Sequence, residues 1–95
     1  MYPEIRSFAL LAANKIYVEF SSGESGTFNM SPYLKSSFFS VLSNEEYFRR
    51  ADLEFGVITW PNGQDISPAT ILLEIIPCER PKGIELKTAN ICAIA

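Results

Sequence analysis

The sequence predicts a small two-layer α+β domain: a mostly antiparallel sheet of about five strands with two or three short helices packed on it. Three observations carry this. Apolar residues recur at every second position through much of the first thirty residues, Ser-Pro and Ser-x-x-Glu steps then open short helical segments, and a Trp-Pro-Asn-Gly turn punctuates a later β-rich stretch. The expected order is β-meander, helices, β-hairpin, helix. Ninety-five residues suffice for one domain, and size scaling has such a chain bury about 60–65% of its extended surface, enough for a core without disulfide or metal staples.

Ile5 to Leu11 is β-rich, and Ala13-Asn14 separates it from Lys15–Phe20, where Ile16, Val18 and Phe20 alternate with Lys15, Tyr17 and Glu19. The two are expected to pair antiparallel, the second as a half-buried strand. Ser21-Ser22-Gly23-Glu24 signals a turn, and Ser25 to Met30 puts Gly26, Phe28 and Met30 on one face, completing a meander. Ser31-Pro32-Tyr33-Leu34 then reads as an N-cap serine with proline in the first helical position, where a missing N–H costs nothing. In Leu42–Tyr47, Ser43 is placed to cap the Glu46 N–H, the Glu46 carboxylate to return to Ser43, and Leu42 to pack on Tyr47. Arg49 and Arg50 set cations at the negative end of that helix.

Ala51 to Phe55 alternates Leu53 and Phe55 with Asp52 and Glu54, Gly56 supplies a turn, and Val57–Trp60 is β-branched and aromatic. Trp60 must be extended because Pro61 follows it, and Pro61-Asn62-Gly63 has turn chemistry in the right order. Ser67-Pro68 repeats the helix start, with Ile66 and Ile71 as a hydrophobic staple, and the helix runs to about Glu74. Pro77 and Pro81 interrupt the next stretch, Ile84–Lys87 alternates like a short strand, and Ile91–Ala95 is apolar. Residues 1–75 are therefore read as the domain and 76–95 as a C-terminal extension, either a packed strand or a partner-binding tail.

Eight Lys and Arg against eleven Asp and Glu give a net charge of −3, with no basic run, which argues against direct nucleic-acid binding. The absence of His removes Ser-His-Asp and Cys-His catalysis and His-ligated zinc. No apolar stretch is long enough for a membrane span, and the first residues do not read as a targeting segment, so a cytoplasmic protein is expected. Cys78 and Cys92 both fall in the last fifth and are expected as reduced thiols, with a redox pair as the alternative.

The candidate binding group is Trp60, Asn62, Gly63, Gln64 and Asp65, with Tyr33 beside it, because polar side chains on a rigid turn next to an aromatic can hold a peptide or small ligand. The structural alternative makes Trp60 a core or edge aromatic, gives Asn62 and Gly63 to turn geometry, and has Asp65 accept backbone N–H bonds. Asp52, Glu54 and Asp65 lack any ligand spacing for a metal, and no cofactor is expected. The candidate partner surface comprises Phe38 and Tyr47 among the central aromatics, and Ile84, Leu86, Ile91 and Ile94 in the tail, whose exposure to water would be costly. The tail needs a covering surface: its own sheet edge, a second copy, or another protein.

Phe28-Asn29-Met30-Ser31-Pro32-Tyr33-Leu34, a short helix, and then Trp60-Pro61-Asn62-Gly63-Gln64-Asp65-Ile66-Ser67-Pro68 resemble the bacterial domain-of-unknown-function 2442 family over about residues 4 to 75. The Trp-Pro-Asn-Gly-Gln-Asp stretch and the early Glu19-Phe20 step carry the likeness. It implies a small α+β domain and no known reaction. Members of that family are often encoded beside small proteins suspected of toxin-like character, which implies an antitoxin-like or regulatory role. Some relatives add a helix-turn-helix unit, for which the proline-interrupted stretch after Glu74 is too short. The expectation is thus a non-catalytic, homodimeric protein that binds another protein, the product of a neighbouring gene. The alternative is a small-molecule or peptide-binding module at the Trp60–Asp65 turn. An enzyme comes third, because it would have to work without His.

Overall fold

Alternation in the first thirty residues builds a meander, and a computed structural model describing residues 3–88 shows its register. Strand β1 (Ile5–Leu11) pairs antiparallel with β2 (Lys15–Phe20), and β2 with β3 (Ser25–Asn29). The register slips between Ile5 and Ser7, so Arg6 is an extra residue and Ile5 joins Phe8 on one face. That face, with Ile16, Val18, Phe20 and Phe28, is buried against Leu42, Phe48, Leu53, Ile58, Trp60, Ile66 and Ile71. Phe39 packs at the margin of this core.

The other face of β2 corrects the expectation of a half-buried strand. Tyr17 is 1% and Glu19 6% exposed, so β2 is covered on both sides. A central strand buried on both faces no longer needs one polar face, and its polar groups must find partners inside the protein.

Two further strands extend the meander into a five-stranded sheet, β7 (Ile76–Pro77) against β3 at one edge and β8 (Lys87–Thr88) against β1 at the other. Both come from after Ile75. Gly26 is required where β7 crosses: a Cβ there would stand 2.6 Å from the Ile76 carbonyl oxygen. The strand expected over Ile84–Lys87 begins only at Lys87, whose Nζ donates to the Arg49 and Ala51 carbonyls at 3.0 and 2.8 Å.

The hairpin strands form a separate sheet, β4 (Asp52–Glu54), β5 (Val57–Thr59) and β6 (Asp65–Ile66) in that order. Phe55 was expected to continue β4. It instead takes the first position of a two-residue turn with Gly56, at φ +52°, and is 97% exposed.

The helices are shorter than their start signals suggest, and two caps differ from expectation. Ser31–Lys35 is a 3₁₀ turn in which Ser31 is already helical, and the Asn29 side chain accepts the Ser31 N–H at 3.0 Å. Helix α1 (Glu45–Phe48) is capped by Asn44, which accepts from the Tyr47 N–H, while the Ser43 hydroxyl donates to the Ser40 carbonyl. Asparagine and serine are near-equal caps, and a 3₁₀ turn over Ser40–Ser43 places Asn44, not Ser43, in extended conformation at the boundary. Helix α2 (Pro68–Glu74) starts as expected, with Ser67 accepting from the Ala69 N–H and Ile66 and Ile71 buried together. No helix among the described residues is long and apolar enough to cross a membrane.

Candidate functional site

The Trp60–Asp65 segment folds as its residue order dictates. The Gly63 N–H donates to the Trp60 carbonyl across Pro61 and Asn62, Gly63 takes φ +97°, and the Trp60 N–H returns to the Gln64 carbonyl. Trp60 lies inward at 3% exposure, stacked on Phe48 with ring centroids 6.1 Å apart, and its Nε1 donates to the Phe48 carbonyl at 3.0 Å. Gln64 is also buried. Its Oε1 accepts from the Tyr47 hydroxyl at 2.7 Å, and its Nε2 donates to the Phe38 carbonyl at 3.3 Å. The same Tyr47 oxygen accepts the Asn62 N–H at 2.8 Å.

Tyr47 is therefore an internal strut joining α1 to the turn, where the sequence offered it for a partner surface. Asn62, Gly63 and Asp65 are exposed. Asp65 sits in β6 opposite Thr59, and Asp52 opposes the same Thr59 from β4. Among the described residues no group of Asp, Glu and Cys is disposed to hold a metal ion. Tyr33 is half-buried between Phe28 and Phe39, and its hydroxyl donates to Glu74, which raises the Tyr33 pKa. Of the three aromatics Tyr33, Phe38 and Tyr47, only Phe38 is largely exposed, at 52%.

In the tail, Ile84 and Leu86 are half-buried, while Ile91 and Ile94, like Cys92, lie outside the described residues. Cys78 is an exposed free thiol. A groove of about 760 Å³ opens beside the β1–β2 reversal, walled in part by Leu10, Leu11, Asn14, Phe48, Arg49 and Ile84.

A second constellation, which sequence reasoning did not single out, lies on the far face of the five-stranded sheet. Glu19 Oε1 accepts from Ser7 Oγ at 3.1 Å and Oε2 from the Tyr17 hydroxyl at 2.7 Å. Arg80 closes on the same carboxylate as a fork, Nε to Oε2 at 2.8 Å and Nη2 to Oε1 at 3.0 Å, while Arg6 approaches Oε1 to 3.5 Å. The Arg80 hydrogen bonds, against an opposing cost of burial and with help from Tyr17 and Ser7, lower the Glu19 pKa to about 2. Burial and the ionised Glu19 raise the Tyr17 pKa. Beside this group, Thr27 Oγ1 lies 3.3 Å from Cys78 Sγ, and Ser25 Oγ donates to the Cys78 carbonyl at 2.8 Å. A signal for the constellation existed: Lys15-Tyr17-Glu19 and Ser7 share a face by alternation, but Arg80 is 61 residues from Glu19, beyond any local pattern.

Chemically, Glu19 is a fixed anion with both oxygens engaged, suited to holding a planar cation and unsuited to accepting a proton near neutrality. The turn residues Trp60 and Gln64 hold the fold through bonds directed inward. A model of the family described as a protein of unknown function (DUF2442) matches residues 5–77. No curated protein and no solved structure matches the chain.

Proposed function

From the premise that the chain belongs to the DUF2442 family, we propose that it is a non-catalytic binding protein that occludes another protein, the antitoxin-like half of a two-gene module. The observation that carries this reading is the apolar pair Leu73 and Ile76. They are 86% and 69% exposed, three residues apart, on the last turn of α2 and on the outermost strand β7. Large aliphatic side chains left exposed on a helix end and on the edge strand that follows it suit a protein interface. The reading includes a homodimer, a cytoplasmic setting and a partner encoded next door. The internal use of Trp60, Tyr47 and Gln64 weighs in the same direction, because it leaves the turn few free polar groups for a small ligand.

The test is co-expression with the product of the adjacent gene. The wild-type chain is expected to retain that product through a sizing column, and a folded L73E/I76E variant to lose it. A wild-type chain that stays strictly monomeric and retains nothing overturns the reading. The alternative, a small-molecule or peptide-binding module, rests on Asn62 and Asp65, the exposed polar side chains of the turn. Saturable quenching of Trp60 fluorescence by a metabolite would favour it.

A further inference from the structure

The two parts of the Glu19 ion pair come from different regions of the chain. Residues 5–77, the span the family model matches, supply the carboxylate, Ser7, Tyr17 and Arg6. Arg80 lies beyond that span, in a connection from Cys78 to Leu86 that contains no helix or strand and is exposed at Cys78, Glu79, Arg80, Lys82, Gly83 and Glu85. This strap is tied down at few points. Cys78 is held by Ser25 at one end and Lys87 by two carbonyls at the other, with the Arg80 fork between them.

We propose that Glu19 forms a guanidinium-recognition site which this chain fills with its own Arg80, and that an arginine on a protein partner takes the site by displacing it. Three observations support the exchange. The carboxylate is pre-oriented: Ser7 and Tyr17 each hold one oxygen, and both oxygens still meet a planar fork, a geometry that arginine satisfies and lysine does not. The occupant is accessible: the Glu19 side chain is 9% exposed and the Arg80 side chain 57%, so one guanidinium can replace another without opening the core. Lastly, among the described residues β8 meets β1 at Ser7 and Phe8, so a strap that leaves together with this two-residue pairing frees strand edge beside Ser7 for the backbone of an extended segment. Arg6 does not substitute for Arg80, since it reaches only Oε1, and at 3.5 Å.

The proposal rests on the reading that the protein binds another protein, and names the partner chemistry: an extended segment bearing an arginine. The probe is a capped hexapeptide with one arginine among threonine and valine, labelled for fluorescence anisotropy, alongside its lysine twin. Because Arg80 competes within the chain, R80A is expected to bind the arginine peptide about tenfold or more tightly than the wild type does. The lysine twin is expected to bind R80A more weakly, and E19Q/R80A to bind neither. Should R80A not fold, R80K keeps the charge without the fork, and is expected to bind the arginine peptide more tightly than wild type by a smaller factor.

Equal affinity for wild type and variant, equal affinity for the two peptides, or binding that survives E19Q overturns the proposal. The outcomes separate it from the functional reading. Arginine-selective binding without retention of the neighbouring product leaves the site standing and ends the antitoxin-like role. Retention without arginine-selective binding removes the site and leaves that role.

Discussion

The Trp60 turn and the Glu19 face are both polar clusters under tension between burial and hydrogen bonding, and they resolve it differently. In the turn, each buried polar group finds its partner within the family-matched span: Trp60 on Phe48, Gln64 on Tyr47 and Phe38. On the Glu19 face the decisive partner, Arg80, arrives from outside that span on an exposed strap. A cluster closed from within serves the fold. One closed by a surface arm opens at lower cost than the domain unfolds, which suits the Glu19 face to exchange better than the more conspicuous turn.

The largest expected effect breaks the first cluster. W60A removes a buried ring stacked on Phe48 together with its hydrogen bond, and is expected to destabilise the domain by about 3–5 kcal/mol in chemical denaturation. Y47F keeps the ring but strands the Gln64 amide oxygen and the Asn62 N–H, and is expected to cost about 1–3 kcal/mol by the same measurement.

The second cluster shows itself through pH. Glu19 is held ionised down to about pH 2 in the folded chain, chiefly by Arg80, while in the unfolded chain it titrates at its ordinary value. The folded state therefore binds fewer protons, so this stabilisation is complete above roughly pH 5 and lost as pH falls from there towards 2. Thermal unfolding followed from pH 6 to 3 is expected to fall less steeply in E19Q and R80A than in wild type, while Y47F keeps the wild-type slope. The smallest effect is at Asp65, exposed on β6: D65N is expected to shift stability by less than about 0.5 kcal/mol.

Much of the fold was legible because short-range patterns encode it. Alternation through β2 and β3, the Pro61-Asn62-Gly63 order and the Ser67-Pro68 start each act within a few residues, and each forms the expected element. Phe55 departs because a turn position overrides strand alternation, and Ser43 because one 3₁₀ turn moves the cap to Asn44. The candidate site was legible only in its inventory. The core alternative for Trp60 holds, through Phe48, but composition cannot say that Gln64 also points inward, since that depends on Tyr47 reaching across from α1. The Glu19–Arg80 pair was illegible for a plainer reason: its halves meet only after the chain has crossed the sheet and returned.

Native-state amide hydrogen exchange tests the contrast most directly. The Trp60 amide, bonded to the Gln64 carbonyl beneath a buried ring, is expected to exchange only through global opening, and Glu79 to Leu86 through a much cheaper local one that R80A accelerates without changing Trp60. If the strap proves as protected as β2, or if R80A speeds exchange at Trp60 as much as in the strap, the two clusters are one cooperative unit and the strap is not a displaceable arm.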